Sequence, residues 1–218
     1  SNKTYNAFRN CVIYSEKIEF YFQNSNHLLL HKKISSALPA TVIGLETSEL
    51  EASEITPIES RGNYIVFHGD LIDAKGFDLL NMLIAGLPEI LFIIPDIDER
   101  LSGFDNVKME CARWDTGLSE QVKNAKLVLC LSSWSAPIET ALTKSIRSNG
   151  VVVTGDVEYG FSAEFTDAAL LKISLDDEIV SLSKVRRLFE SQTMQRAAII
   201  NANAQLVTLN KESIYKML

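Results

Sequence analysis

The chain has 218 residues, 46% of them hydrophobic and 22% charged, with a formal charge of -7 at neutral pH. It is long enough for one domain and an additional segment, and it can bury a core without disulfides or metals. The acidic balance excludes binding of a nucleic-acid backbone as the main task, although one local site can still hold a diphosphate.

Cys11, Cys111 and Cys130 are widely separated and odd in number. They make no zinc spacing and no disulfide framework, so a reducing, cytoplasmic compartment is the simplest expectation. Cys130 lies in an apolar run and reads as a small buried hydrophobe. The start at Ser1-Asn2, without Met, reads as the remnant of a removed tag on a trimmed chain, and no secretory signal is visible. The most apolar window, Leu79–Pro95, is interrupted by Asn81, Gly86, Pro88 and Glu89 and is not a membrane span.

In chain order, Cys11–Ser15 reads as a strand and Glu16–Gln23 as a helix. A further strand is expected within Leu38–Leu45, and the acidic stretch Glu46–Gly62 reads as a linker. From Tyr64 the pattern changes. Tyr64–His68 is a short β-rich run, and Gly76–Ala85 carries apolar residues at helical spacing until Gly86-Leu87-Pro88 ends it. Ile90–Ile94 is continuously apolar, as a strand covered on both faces would be. Val107–Cys111 is a weaker strand, Ser119–Asn124 a helix and Lys126–Leu131 another buried strand. Pro137–Ser148 is predicted as a helix, Val151–Thr154 and Leu170–Ser174 as strands, and the tail from about Asp176 as two helical pieces. Short buried strands alternating with helices imply parallel pairing through right-handed crossovers. The fold class is therefore α/β, a doubly wound, mostly parallel, Rossmann-like sheet.

Such sheets bind ligands at the carboxyl ends of their strands, which directs attention to three loops. In His68-Gly69-Asp70-Leu71-Ile72-Asp73-Ala74-Lys75-Gly76, Gly69 permits a tight turn or a close approach to a ligand. Lys75 stands at a helix start, where backbone N–H groups and the dipole already favour an anion. The plainer alternative is a solvated lysine beside a turn glycine. In Ser132-Ser133-Trp134-Ser135-Ala136-Pro137-Ile138-Glu139, Pro137 suits a first helical turn, and Ser133 or Ser135 can cap it and donate to a phosphate. Glu139 can accept from ribose hydroxyls, or simply be a first-turn carboxylate favoured by the dipole. Trp134 either stacks on a ligand or packs. The third loop, Gly155–Glu164, either closes over a ligand or merely connects two elements. His68, at a strand end, can reach a ligand or be a structural histidine. His27 and His31 are four apart, as helical metal ligands can be, but no carboxylate completes a catalytic pattern, and no metal is expected.

Taken in order, these segments resemble the C-terminal, donor-binding domain of retaining GT-B glycosyltransferases. The residues that carry the resemblance are HGDLIDAKGFDLL, LPEILFIIPDID, FDNVKMECARWDTGLSEQVKNAKLVLCLSSW and PIETALTKSIRSNGVVVTGD, within about Gly62–Asp167. The resemblance implies a donor-site set of Gly69, Lys75, Ser132, Ser133, Glu139, Gly160 and Glu164. In it Lys75 and Glu139 are the catalytic candidates, Lys75 on the diphosphate and Glu139 on ribose or the donor sugar.

The implied domain order is a remnant of a preceding domain with its linker over residues 1–61, the nucleotide-sugar-binding domain over 62–175, and helices packing on it over 176–218. The implied partners are a nucleotide-sugar donor and a glycan or lipid-linked acceptor, with no nucleic acid. Peripheral membrane contact would come only through the missing half. No cofactor is implied beyond the nucleotide diphosphate sugar itself. Two features depart from the family pattern: Asp70 stands where an arginine is usual, and Glu139 is a single glutamate where the family often has two. With an acceptor domain also lacking, the chain by itself is expected to be inactive. A non-catalytic, glycosyltransferase-like partner subunit and a GT-B-fold nucleotide-sugar epimerase are the alternatives. A dinucleotide-dependent dehydrogenase ranks last, for want of its glycine fingerprint.

Overall fold

The computed structural model describes residues 20–22, 25–33, 40–42, 55–134 and 139–217. Strand β1 (Phe20–Phe22), helix α1 (Ser25–Lys32) and strand β2 (Ala40–Val42) form a small parallel unit, with Phe20 beside Ala40 and Phe22 beside Val42. The helix expected over Glu16–Gln23 is thus corrected for Phe20–Phe22. The aromatic run Phe-Tyr-Phe suits a pleated strand and finds a partner strand at Ala40–Val42. The strand expected within Leu38–Leu45 is present at Ala40–Val42, whereas the strand expected at Cys11–Ser15 lies outside the described residues.

The main sheet comprises β3 (Gly62–Phe67), β4 (Leu91–Ile94), β5 (Val107–Met109), β6 (Ala125–Cys130), β7 (Val152–Gly155) and β8 (Leu171–Ile173). All pairs are parallel, in the order β5-β4-β3-β6-β7-β8. The order reverses between β3 and β6, so the chain leaves these neighbouring strands toward opposite sides of the sheet. A crevice therefore opens at their carboxyl ends.

The strands are apolar throughout because both faces are covered. Ile65, Phe67, Phe92, Ile94, Leu127 and Leu129 pack on one face, against helices α2 (Phe77–Gly86) and α5 (Glu178–Glu190). Val66, Ile93, Val128, Cys130 and Val152 pack on the other. That face is covered by α3 (Leu118–Asn124), α4 (Thr140–Ser148) and Ala202 and Leu206 of α6 (Gln192–Met217). The two helices of the tail part at Ser191, whose backbone is extended, and buried Gln195 closes the break by donating to Leu188 O and Phe189 O at 2.9 and 2.8 Å.

The described end of the predicted linker is not a free tether. Buried Asn149 at the end of α4 donates to Val122 O and Ala125 O at 2.8 and 2.7 Å, and its Oδ1 accepts from Arg61 at 2.9 Å. Glu59 pairs with Arg196 of α6. Burial lowers the Arg61 guanidinium to about 10, which marks how far this residue is drawn into the α/β unit. No described helix is long and apolar enough to cross a membrane.

Candidate functional site

The crevice between β3 and β6 contains a cavity of about 360 Å³, a size that suits a small-molecule ligand. The loop after β3 supplies His68, Gly69, Asp70 and Lys75, the loop after β6 supplies Leu131 and Ser132, and the start of α4 supplies Glu139. The far wall is Pro95, Ala112, Arg113 and Trp114, from the segments after β4 and β5, and Leu118 at the start of α3.

Lys75 ends a single 3-10 turn, Asp73–Lys75, rather than standing inside the helix. Its own N–H bonds to Ile72 O at 2.9 Å, and that of Gly76 bonds to Asp73 O at 2.9 Å. Leu80 N–H is the one that returns to Gly76 O, so the uncommitted first-turn amides of α2 are those that follow Gly76. Gly76 has φ +79°, and a Cβ there would lie 1.9 Å from Leu131 O. The start of α2 therefore presses against the exit of β6, which brings Lys75 Nζ within 3.3 Å of Ser132 Oγ and 5.2 Å from the centre of the Trp134 ring. Ser133 turns away, donating to Asp73 O at 2.8 Å, and so ties the two loops rather than capping α4. Ser135 and Pro137 lie outside the described residues.

Helix α4 begins at Thr140, and Glu139 occupies the position before it with an extended backbone (φ -124°, ψ 100°). This corrects the expectation of a first-turn carboxylate on a helix from Pro137. The Glu139 side chain makes no capping bond and is 6% exposed. Burial raises the carboxyl above its ordinary range, opposed by a hydrogen bond from Ser132 and by the charge of Lys75. Its Oε1 has no hydrogen-bond partner among the described residues.

This raised value predicts a stability effect with a definite sign. Between the ordinary carboxyl range and the raised value, the folded protein keeps a proton that the unfolded chain has released. Stability from this group therefore falls as pH rises through that window. Glu139→Gln is expected to raise the melting temperature at neutral pH, with the gain shrinking in acid. A variant that melts lower at neutral pH would show instead that the charged carboxylate holds the fold.

Three polar side chains stand in register beneath α4: His68 just past β3, Cys130 at the end of β6, and Thr154 on β7. The Cys130 thiol, pushed up to about 12 by burial, donates to Ser145 Oγ at 3.3 Å. Ser145 Oγ lies 2.8 Å from His68 Nδ1. The His68 ring stacks on Trp114, with centres 5.2 Å apart and planes 13° apart, and Lys144 covers the same Trp114 ring. Burial, then the charge of Lys144, lowers His68 to about 4, so it is neutral at physiological pH.

Of the residues singled out in the sequence, the structure gathers Gly69, Lys75, Ser132 and Glu139 around this cavity, with His68 beside them. Gly160 and Glu164, expected to border the donor pocket, do not line it. Glu164 faces α1, where its Oε1 accepts from Asn26 N at 2.9 Å and Asn26 Nδ2 at 2.8 Å, because a carboxylate satisfies the exposed amides of a helix start. His27 and His31 pack edge to face 4.6 Å apart beside Phe22. Sequence reasoning missed the Ala112-Arg113-Trp114 wall. Its only local signal was a tryptophan beside an arginine after a weak strand.

No family model matches the sequence, and no curated protein matches it. Solved structures do match by fold. Over 100% of this chain and 45% of its own, S. aureus TarM superimposes with a TM-score of 0.74 at 14% identity. The pneumococcal O-GlcNAc transferase GtfA, solved with UDP and GlcNAc, matches over 97% and 46% with a TM-score of 0.67 at 17% identity. WaaG, a glycosyltransferase involved in lipopolysaccharide biosynthesis, matches over 86% and 58% with a TM-score of 0.63 at 19% identity. The chain spans about half the length of the structures it matches. It has the fold of one half of a GT-B glycosyltransferase, as the sequence resemblance implied.

Proposed function

We propose that this chain is the donor-binding, C-terminal half of a glycosyltransferase, and that the cavity between β3 and β6 holds a nucleotide diphosphate sugar. The observation that carries the reading is the pairing of Lys75 with a buried carboxyl, Glu139, on either side of Ser132 at the topological switch point. Lys75 and the first-turn amides of α2 supply positive potential for a diphosphate. The unpartnered Glu139 oxygen is an acceptor suited to a ribose or sugar hydroxyl. The wall of Pro95, Ala112, Trp114 and Leu118 suits a flat base.

In the reaction so assigned, the bond between the anomeric carbon and the diphosphate oxygen breaks as the acceptor hydroxyl attacks, and the hydroxyl's proton passes to the departing diphosphate. The electron pair leaves on the nucleoside diphosphate, where Lys75 and the α2 amides stabilise it. The scheme draws on no metal and no further cofactor. The acceptor, a glycan or lipid-linked sugar, is held by the other half of the protein, so this chain alone binds donor without turning it over.

Titration of the chain with UDP, GDP and their sugars, by calorimetry or NMR, tests the assignment. Saturable binding with shifts at Lys75, Ser132 and Glu139 is expected, and no binding to the chain or to the two-domain protein would sink it.

Asp70 favours a second reading, a non-catalytic partner subunit, because this exposed residue lines the same cavity as Lys75 and brings a negative charge to it. Under the donor reading Asp70→Asn tightens nucleotide diphosphate binding by up to about 1 kcal/mol, the scale of a solvent-screened charge pair. Under the partner reading neither form binds nucleotide, and the full-length protein transfers no sugar.

A further inference from the structure

His68 lines the cavity and is backed by a chain of hydrogen bonds through Ser145 to Cys130. Ser145 is fully buried, and its Oγ meets two partners among the described residues, the Cys130 sulfur at 3.3 Å and His68 Nδ1 at 2.8 Å. A buried thiol or hydroxyl that left its proton unbonded would forfeit a hydrogen bond's worth of stability. Run from Cys130 through Ser145 to His68 Nδ1, the chain pairs both protons, whereas the reverse sense leaves the thiol proton without an acceptor among the described residues. An imidazole that accepts at Nδ1 carries its proton at Nε2. That nitrogen has no protein partner among the described residues, and it is not one of their buried, unsatisfied atoms. His68 lines the cavity against Trp114 of the far wall, whereas Lys75 is held against Ser132 and Trp134.

Resting on the donor-site reading above, we infer that His68 reads the base of the nucleotide. Its Nε2–H is a fixed donor and favours a base with a carbonyl oxygen on its pairing edge, uracil or guanine, over adenine. Adenine carries an amino group, a donor, where those bases carry O4 or O6, and its acceptor on that edge, N1, is set one ring position aside. Trp114, stacked on the imidazole, and Ser145, bonded behind it, hold the ring in place, so the donor direction does not depend on the ligand. Lys144 and the surrounding burial keep the ring uncharged, so it acts as a directional hydrogen-bond group and not as a second cation for phosphate. Ser145 is a positioning residue in this scheme, since it acts through His68 and does not line the cavity.

The experiment compares UDP, GDP and ADP affinities of the 218-residue chain by calorimetry, and reads the tautomer of His68 by long-range proton–nitrogen NMR. UDP or GDP is expected to bind roughly tenfold more tightly than ADP, the scale of one net hydrogen bond in a dry site. His68→Phe is expected to erase that preference. His68→Gln, which keeps an N–H near the Nε2 position, retains part of it. The spectrum is expected to show a protonated Nε2 before any ligand is added, and Ser145→Ala to mix the two tautomers and lower the base preference. This second readout holds even if His68→Phe fails to fold. Equal binding of ADP by the wild-type chain, an undiminished preference in His68→Phe, or a protonated Nδ1 would each overturn the assignment. Those outcomes leave the donor site standing, whereas failure of every nucleotide to bind removes both.

Discussion

Replacing Lys75 with alanine is expected to weaken UDP or GDP binding by about 1–3 kcal/mol, between five-fold and a hundred-fold or more in affinity, the range for a lost charge-assisted hydrogen bond. The size of the effect follows from how the lysine is held. Its 3-10 turn fixes the backbone, Gly76 sets that turn against β6, and the ammonium stands 3.3 Å from Ser132 Oγ and above the Trp134 ring. The side chain thus meets a ligand already ordered, and little of the interaction is spent on restricting it. Lys75 carries no ion pair shorter than 4 Å to another described residue, so its removal leaves no orphaned charge except on the ligand. The melting temperature should barely change while the affinity falls. Calorimetry with the nucleoside diphosphate and a thermal melt on the same samples make the comparison. Lys75→Arg should recover part of the loss, with the recovered part weakening as salt is added. An affinity unaltered by Lys75→Ala would take this residue out of the site.

Gly76→Ala is expected to cost stability rather than binding contacts alone. The left-handed backbone at φ +79° costs a residue with a Cβ about 1–2 kcal/mol. The Cβ would also lie 1.9 Å from Leu131 O and 2.7 Å from Leu131 Cβ, so α2 must move away from the end of β6. Overpacking of that kind typically adds about 1–3 kcal/mol. Together the terms predict a loss of roughly 2–5 kcal/mol, and about 2–4 °C of melting temperature per kcal/mol in a chain of this size.

Two other glycines separate the causes. At Gly117, φ is +118° and a Cβ would meet nothing within 4 Å, so Gly117→Ala carries the strain without the clash. At Gly103 neither applies, and Gly103→Ala should be close to neutral. A melt in which Gly76→Ala matches Gly103→Ala would show that α2 does not press on β6 as described. Because the same contact brings Lys75 to Ser132, Gly76→Ala should also weaken nucleotide binding in whatever fraction remains folded.

The two variants divide what each level of description contributes. The β3-to-β8 strand and helix pattern was legible because continuous apolar runs such as Leu127–Cys130 have few other uses in a chain of this polarity. Gly69, Lys75 and Ser132 were legible as candidates because strand-exit loops bind ligands in any doubly wound sheet. Phe20–Phe22 was misread because three residues are too short for periodicity to separate helix from strand. Its strand form depends on a partner at Ala40–Val42 that no local pattern reveals. Glu164 was placed at the pocket because its position in sequence suited that role. The amides of Asn26, distant in sequence, draw it to α1 instead.

By itself, the sequence determined the α/β class, the strand succession and the loops from which a donor site can be built, because burial on both faces and strand-exit geometry leave their marks locally. Only the tertiary structure decided the order β5-β4-β3-β6-β7-β8, and with it the crevice that sets Lys75 against Ser132. It also decided that Glu139 is buried and His68 uncharged. Protonation depends on solvent exclusion and on neighbours such as Lys75 and Lys144, and those neighbours are assembled only when the separate loops meet at the sheet's reversal point.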